Sequence, residues 1–417
     1  MSGGFQVPKG TFDVLPDQAA RRSRIEAVAS AIFERAGYER IETPIFEDTE
    51  LFERGVGRST DIVIKEMFTF EDKSGRSLTL RPEATASICR AYVENGMQTL
   101  PQPVKLWTSG PFFRHERPQA GRYRQFTQID AEAIGSDDPL ADVEIIKLLA
   151  DLLADLGVPG VELRLGSLGS IETRARYLED LKAYLREHSE GLSKEVRERI
   201  DLNPLRAFDA DDEGTRAAMA EAPKLLDQLD DADAEHFERV RSLLDSAGIS
   251  YEIDPTLVRG IDYYTRTIFS FVCDRLGAQS EVGGGGRYDG LIEQLGGPAT
   301  PAIGWAAGVE RILLALGDEE LERSRDVFVA VADDAQRDRA LALVIELREA
   351  GLSAEADLAG RSLKGQIRQA DRVGARRTLI LESDGAAQLR DMRSGEQSAI
   401  DPGEAVAKLA PEGGAKR

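Results

Sequence analysis

The sequence has few of the residues that membrane spans, disulfide frameworks and metal sites require. It contains no apolar run near the length of a bilayer span, and its first residues lack the basic and apolar regions of a secretory signal. Only two cysteines, Cys89 and Cys273, and three histidines are present, and their spacing indicates neither a disulfide nor a zinc site. We therefore expect a cytoplasmic protein with no membrane contact and no protein-bound zinc or other metal.

Positive charge is also in deficit. The chain carries 53 Lys and Arg residues against 74 Asp and Glu residues, which gives a formal net charge of -21. A protein that coats nucleic acid through a general basic surface is excluded, because phosphate contacts need local Lys and Arg. Any nucleic-acid partner must therefore meet a local basic patch.

The length of 417 residues allows two or three domains, each with its own core. Apolar residues at helical spacing predict an amphipathic helix over residues 17–36, with Asp17 as its cap and Gly37 as its end. The following YERIETPIFED predicts a strand interrupted by Pro44, which suits an edge or an interface.

Two changes of composition divide the rest of the chain. Residues from about 170 to 250 have a helical, acidic pattern typical of an inserted helical module, and we interpret DADDEG (209–214) and DDADAE (230–235) as solvated faces. RDVFVAVAD then opens an alternation of strand and helix typical of a small α/β domain. The predicted domains are 1–322, including the insertion, and 323–417.

The segment LWTSGPFFRHERPQAGRYRQFTQIDAEAIG (106–135) predicts two strands around a loop that carries Arg114 and Arg122. Alternation in the second strand separates an apolar face from a polar one, with Ile129, Ala131 and Ala133 opposite Gln128, Asp130 and Glu132. A polar outer face on an antiparallel sheet explains the second set equally well. Beside the basic loop, however, the pattern favours an anionic ligand lying over the sheet.

Charge also interrupts LVRGIDYYTRTIF (257–269), a run otherwise typical of a strand. Alternation predicts that Tyr263 shares a face with Phe269 and Phe271, whereas Tyr264 lies on the opposite face. Arg259 stands beside Gly260, where a ligand can approach the backbone closely. In RPEAT (81–85), Glu83 is a carboxylate able to hold a substrate ammonium, with Thr85 next to it.

The last two motifs are glycine-rich or helical. GGGGRYDG (283–290) lacks the lysine of a Walker loop and the dinucleotide fingerprint, so tight packing beneath a ligand is favoured. IGWAAGVERILLALG places four apolar residues on one helical face and directs Arg311 elsewhere; the four are Val309, Ile312, Leu313 and Leu316. A surface position for Arg311 stays open on this pattern alone.

Together these segments resemble the class II aminoacyl-tRNA synthetases, and specifically the histidyl-tRNA synthetase family. The first helix with the Pro44 strand resembles the first motif of the class, FFRHERPQAGRYRQF the second, and GVERILLAL the third. LVRGIDYYTRTIF and GGGGRYDGL are similar to the two segments peculiar to the histidyl family. The resemblance implies an α+β fold: an antiparallel sheet flanked by helices, a helical insertion, a C-terminal α/β anticodon-binding domain, and a homodimer.

The resemblance also implies a reaction in which histidine and ATP give histidyl-adenylate and pyrophosphate, and the histidyl group then passes to the 3′ end of tRNA(His). Arg114 and Arg259 would be catalytic, holding the α-phosphate, because a planar guanidinium binds phosphate oxygens in pairs. Arg122 and Arg311 would complete the ATP site, with Mg²⁺ accompanying the nucleotide. The implied histidine-binding residues are Glu83, Thr85, Gln128, Glu132, Tyr263 and Tyr264.

The C-terminal segment RSLKGQIRQADRVGARR is a local basic patch. Its cations recur every four residues, which predicts one stripe on a helix whose Leu363, Ile367 and Ala370 face inward. The predicted tRNA-binding stripe consists of Lys364, Arg368, Arg372 and Arg376. A merely solvated helix face remains the alternative.

A second class of function resembles the same family. Non-catalytic relatives include the histidine-sensing regulatory subunit of ATP phosphoribosyltransferase and the synthetase-like tRNA sensors of stress kinases. A regulatory subunit is expected to lack the C-terminal domain and to disrupt the arginine-bearing motifs. Because Arg114, Arg259 and Arg311 are all present and a basic α/β domain follows, the sequence favours the enzyme.

Overall fold

The computed structural model describes residues 4–277, 280–317 and 325–410. The chain divides into two compact units, Met1–Glu319 and Glu320–Arg417. The boundary predicted near residue 322 and the tail from residue 411 lie outside the described residues. Within the described ranges, no helix has the length and apolar character needed to cross a membrane.

The strands of the first unit belong to two sheets. In chain order they are β1 (Glu39–Arg40), β2 (Phe46–Asp48), β3 (Phe68–Glu71), β4 (Ser77–Leu80), β5 (Val104–Phe113), β6 (Gln125–Ile134), β7 (Val161–Ser167), β8 (Glu252–Ile253), β9 (Thr265–Cys273), β10 (Glu281–Arg287) and β11 (Ala302–Gly308). The large sheet has the order β1-β5-β6-β11-β10-β9-β7-β8, and the small one the order β2-β4-β3. In this order, every neighbouring pair from β5 across the sheet to β7 is antiparallel. The edge strands are parallel to their neighbours, β1 to β5 and β8 to β7.

The helices of this unit cover both faces of the large sheet. In chain order they are α1 (Pro16–Ala36), α2 (Thr49–Gly55), α3 (Thr85–Glu94), α4 (Pro139–Asp155), α5 (Ile171–Glu187), α6 (Lys194–Arg199), α7 (Glu213–Ala220), α8 (Asp231–Ser246), α9 (Leu291–Gln294) and α10 (Val309–Leu316). Residues of α1, α4, α8 and α10 form one hydrophobic core with one face of the sheet. A second core, on α3, α5 and the residues after α5, includes Tyr263, Tyr264 and Tyr288.

The N-terminal predictions are right about the first helix and wrong in two details. Helix α1 buries Ile25, Ala29, Ile32 and Phe33 and is terminated by Gly37, the residue after Ala36, whose φ of 74° suits glycine. Leu15 occupies the N-cap position, and Asp17 lies inside the first turn. The single strand predicted through Pro44 is instead two short strands, β1 and β2, in different sheets.

The insertion is helical, but its acidic segments are not simply solvated. Asp212 caps α7 and Asp230 caps α8. Asp233 is buried, accepts a hydrogen bond from Ser170 N at 2.7 Å and pairs with Arg266 at 3.2 Å. Helix α8 packs against α4 and adds Phe237 to the first core, so Asp233 belongs to the interior of the unit, whereas Asp231 and Glu235 are exposed.

The second unit is a small α/β domain. Its strands are β12 (Arg325–Val331), β13 (Ala354–Ala356), β14 (Ala375–Leu381), β15 (Ala387–Asp391) and β16 (Gln397–Ile400), in the order β13-β12-β14-β15-β16. Its helices are α11 (Arg337–Glu349), α12 (Leu363–Arg372) and α13 (Ala405–Leu409). Parallel pairing of β12 with β13 and β14 places α11 and α12 over the sheet as crossover helices.

Candidate active site

A cavity of about 750 Å³ opens on the face of the large sheet opposite the first core. The predicted alternation of β6 explains its polar wall. Ile129, Ala131 and Ala133 lie in the core, whereas Gln128 and Asp130 line the cavity. The ends of β5 and β9, the strands β10 and β11 and part of the insertion complete the walls.

Three arginines of separate motifs line this cavity. Arg114 follows β5, Arg259 precedes β9, and Arg311 lies in the first turn of α10. Arg114 donates from Nε to the Pro82 carbonyl at 2.9 Å, and its guanidinium lies 5.5 Å from the centre of the Phe126 ring. The structure thus brings together cations that are almost 200 positions apart along the chain.

Glu281, which was not among the predicted site residues, orients two of these arginines. Its carboxylate pairs with Arg259 and also accepts from Ser270 Oγ at 2.8 Å, while its carbonyl accepts from Arg311 Nε. Burial lowers the pKa of the Arg259 guanidinium, but Glu281 outweighs it, so the pKa is raised. The only sequence clue to Glu281 is its place at the start of the strand that carries the glycine run.

The glycine run is β10 itself. A Cβ at Gly284 would lie 2.6 Å from the Phe269 carbonyl oxygen and 3.0 Å from Arg259 Nη1, and one at Gly286 would lie 2.5 Å from the Thr267 carbonyl oxygen. Real Cβ atoms do not approach backbone this closely, so the strand admits only glycine here. The predicted tight packing is confirmed, and it brings Arg259 against bare backbone.

Arg122 lies at the edge of the cavity on the loop between β5 and β6. This loop closes through paired backbone hydrogen bonds between Gln119 and Arg122. Arg122 Nη1 lies 3.4 Å from Glu116 Oε2, and both side chains line the cavity. Its exposure and loop position make Arg122 the least constrained cation that we assigned to the site.

A second wall is rich in buried carboxyl groups. Glu83 accepts from the backbone N–H groups of Thr85 at 2.7 Å and Ala86 at 3.0 Å, at the start of α3. Burial raises the pKa of Glu83 despite these hydrogen bonds. Both residues of the predicted pair, Glu83 and Thr85, line the cavity.

Glu132 lies behind this wall rather than on it. Its oxygens accept from Thr85 Oγ1 at 2.7 Å and from the Tyr288 hydroxyl at 2.6 Å. Burial raises the pKa of Glu132 to about 8, although both hydrogen bonds lower it. Its partners Thr85 and Tyr288 line the cavity, whereas Glu132 is not among the described residues that line it.

The alternation predicted for Tyr263 is wrong. Both Tyr263 and Tyr264 line the cavity, with ring centroids 4.7 Å apart, and both belong to the second core, whereas Phe269 and Phe271 belong to the first. Strand β9 begins only at Thr265, and Arg266 has a φ of 44°, which interrupts the period of two. Tyr263 therefore shares the cavity with Tyr264.

The insertion contributes residues that we did not predict for the site. Arg206, Phe208, Asp209 and Asp211 line the cavity, so part of DADDEG faces it. Arg206 and Arg199 of the insertion pair with Asp61 at 2.9 and 3.2 Å, respectively. Asp61 lies outside the insertion, between α2 and β3. These ion pairs attach the insertion beside the site.

Comparison with known proteins identifies the family of this chain. Residues 10–312 match the family model for histidyl-tRNA synthetase, and residues 326–412 match that for an anticodon binding domain. The chain belongs to the histidyl-tRNA synthetase family. A histidine–tRNA ligase of Rubrobacter xylanophilus is 48% identical over 412 residues, covering 96% of this chain and 97% of its own.

Solved structures agree with this histidyl-tRNA synthetase fold. Apo histidyl-tRNA synthetase of S. aureus superposes with a TM-score of 0.82 at 34% identity, covering 98% of this chain and all of its own. A Bacillus halodurans protein titled as an ATP phosphoribosyltransferase regulatory subunit/histidyl-tRNA synthetase has a TM-score of 0.68 at 24% identity, covering 92% of this chain and 100% of its own, which shows the fold alone. The predicted α+β synthetase fold is confirmed, and the comparisons support the synthetase over the regulatory-subunit alternative.

The predicted basic stripe of this synthetase's second unit is partly wrong. Lys364, Arg368 and Arg372 are exposed along α12, and Ala370 packs inward with Leu363 and Ile367. Arg376 is not on the helix, because α12 ends at Arg372 and β14 begins at Ala375. It lies 3.4 Å from Asp326 Oδ1 instead.

Proposed function

We propose that the cavity forms histidyl-adenylate from histidine and ATP, and that the protein then transfers the histidyl group to tRNA(His). One observation carries the assignment to this cavity: Glu281 orients Arg259 and Arg311 on one side, while a wall of buried carboxyl groups lies on another. The first side suits a polyphosphate, and the second suits the ammonium group of an amino acid.

The arginines suit the first step because charge develops on phosphate oxygens as the histidine carboxylate attacks the α-phosphorus and pyrophosphate leaves. We assign the α-phosphate to Arg114 and Arg259, and the γ-phosphate to Arg311, with Arg122 over the nucleotide. Mg²⁺ enters as part of the ATP substrate, since it binds mainly through phosphate oxygens and water. Fixing reactants in line supplies much of the acceleration.

The amino acid occupies the carboxyl-rich wall in this proposal. Glu83, Thr85 and Gln128 hold the backbone groups of histidine, and Tyr263 and Tyr264 lie beside the imidazole. Glu132 acts through Thr85 and Tyr288, whose hydroxyl groups it accepts from. A pocket built on such paired polar groups discriminates strongly against side chains that leave them unpaired.

The partners follow from the family and from exposed surfaces. We propose that Lys364, Arg368 and Arg372 contact tRNA phosphates, and that Arg376 contributes from β14. Homodimerisation through the N-terminal segments is supported by Phe46, which is 50% exposed and whose ring centroid lies 6.3 Å from that of Phe70. We assign the protein to the cytoplasm, with 1–322 as the catalytic domain and 323–417 as the anticodon-binding domain.

Exchange of pyrophosphate into ATP tests the first step. The purified chain should catalyse exchange with histidine and with none of the other nineteen amino acids, and should charge total tRNA with histidine alone. Absence of histidine-dependent exchange would refute the proposal, whereas exchange without charging would refute only the tRNA step. Sedimentation at micromolar concentration tests the dimer separately.

A further inference from the structure

Asp130 carries a buried carboxyl group to which the proposed function assigns no role. It lies on β6 between Gln128 and Glu132, opposite Thr108 of β5 and Ala306 of β11. Its side chain lines the cavity and the residue is 1% exposed. Its Oδ2 accepts no hydrogen bond from any described residue.

Neighbouring carboxyl groups differ in this respect. Glu83 accepts from two backbone N–H groups, and Glu132 accepts from two hydroxyl groups. The protein thus satisfies both of these acids internally but leaves Asp130 with an unpaired oxygen. Such a group is costly to bury, so its retention beside a cavity indicates a partner that arrives from outside.

The nearby cations are already engaged elsewhere. Arg81 donates to the Thr43 carbonyl and hydroxyl oxygens, both at 3.1 Å, and to the Pro111 carbonyl at 3.0 Å. Arg114 donates to the Pro82 carbonyl. Burial raises the pKa of Asp130 well above its usual range, and the neighbouring acids Glu132 and Glu83 raise it further, against the opposing effect of Arg81 and Arg114.

A second acceptor points to the same ligand. Gln128, two residues before Asp130 on the same face of β6, has a buried Oε1 without a partner among the described residues, and it also lines the cavity. Two free acceptors, one of them a carboxyl group, suit a cation with several N–H donors. Histidine brings one such cation at neutral pH, its α-ammonium.

We infer that Asp130 is a further substrate-binding residue, whose Oδ2 accepts a hydrogen bond from the α-ammonium of histidine beside Gln128 Oε1. This inference rests on the proposed function. If Asp130 holds a proton in the free protein, that proton passes to solvent as the ammonium binds, and no other bond changes. The contact adds to the backbone recognition assigned to Glu83.

The test compares the wild-type chain with Asp130→Asn, which keeps the shape and removes the charge. Two inhibitors of histidine-dependent exchange separate the groups of the substrate: histidinol keeps the ammonium and lacks the carboxylate, and imidazolepropionate lacks the amine. We expect Asp130→Asn to raise the histidine KM and the histidinol inhibition constant by about fivefold to a hundredfold. The inhibition constant for imidazolepropionate and the KM for ATP should not change.

Three outcomes overturn the inference. An unchanged histidine KM in a folded variant makes Asp130 a structural residue, and equal weakening of both inhibitors moves its contact to the imidazole. Should Asp130→Asn fail to fold, Asp130→Ser replaces it, and an unchanged ratio of the histidinol and imidazolepropionate inhibition constants overturns the inference. Normal wild-type exchange in these experiments leaves the proposed function intact.

Discussion

The two basic regions of this protein differ in how deeply their cations are buried and in what holds them. Arg259, with a side chain 14% exposed, is held in the cavity by Glu281 and lies against the bare backbone of β10. Lys364, Arg368 and Arg372 extend from α12 into solvent. The buried cation has a fixed position and a counter-ion, while the exposed ones keep hydration and freedom.

In our proposal this difference corresponds to two kinds of phosphate recognition. A preorganised cation in a dry site can favour charge that develops during a reaction, because it need not reorganise. Exposed cations add affinity that salt screens and that carries little geometric information. We therefore propose that the first region serves the chemistry and that the second positions the partner.

The largest effect is expected from Arg259→Ala. Loss of one preorganised donor should slow single-turnover adenylate formation by about a hundredfold to a thousandfold at saturating substrates. Arg259→Lys should recover part of this loss, because lysine keeps the charge but not the planar fork. The measurement is rapid-quench formation of adenylate beside a melting curve.

Glu281→Gln is the matched control for this variant, because it breaks the same ion pair and keeps the arginine. If Arg259 served only the fold, both variants would melt earlier and retain nearly full rates once folded. A normal rate in Arg259→Ala would remove the contrast between the two regions altogether.

Glu132→Ala should have the next largest effect. Removal of the carboxyl group leaves the hydroxyl groups of Thr85 and Tyr288 without their acceptor. We expect the histidine KM to rise by about fivefold to a hundredfold and the ATP KM to change far less. Steady-state exchange measures both, and equal increases in the two constants would contradict a role for Glu132 in the amino-acid pocket.

The pH dependence of stability should reveal the proton on Glu132. In the folded protein its pKa is about 8, against 4.5 as the reference value, so the folded state binds more protons between these limits. The wild-type free energy of unfolding should therefore fall with rising pH across this window, relative to Glu132→Gln, by roughly 1 kcal/mol per pH unit. Urea unfolding at pH 5, 6.5 and 8 measures the difference, and a constant difference would contradict the raised pKa.

The smallest effect is expected on α12. Replacement of Lys364, Arg368 and Arg372 by alanine should leave adenylate formation unchanged and reduce the salt dependence of tRNA binding by a slope of about 2 to 3. Arg376→Ala is the control, since a single residue on β14 can remove at most one contact, a slope of about 1. Filter binding at several salt concentrations measures the slope of the logarithm of the binding constant against the logarithm of salt concentration. A triple variant with the wild-type slope would contradict the assignment.

Regular periodicity could be predicted from the sequence, and its interruptions could not. The alternation of β6 is correct because the strand runs unbroken from Gln125 to Ile134. The same rule fails for Tyr263 because the chain breaks its period at Arg266, and a four-residue spacing extends past the end of α12 to Arg376. Neither break is visible in hydrophobicity alone.

Pairing across the fold was the other limit. Cationic site residues stand out in apolar segments, as Arg259 does, but their counter-ions do not. Glu281 precedes a glycine run, and Asp233 belongs to an acidic segment that looks like solvated surface. Each is identified only when the fold brings it to its arginine.

The glycine strand β10 also has a genetic consequence. Every amino acid that can replace glycine brings a Cβ. Each missense codon at Gly284 therefore places a carbon 2.6 Å from a neighbouring carbonyl oxygen, and each at Gly286 places one at 2.5 Å. The side chain that follows the Cβ hardly matters, because the first atom already collides. These positions should therefore behave as all-or-none sites in a saturation library, with alanine as damaging as tryptophan.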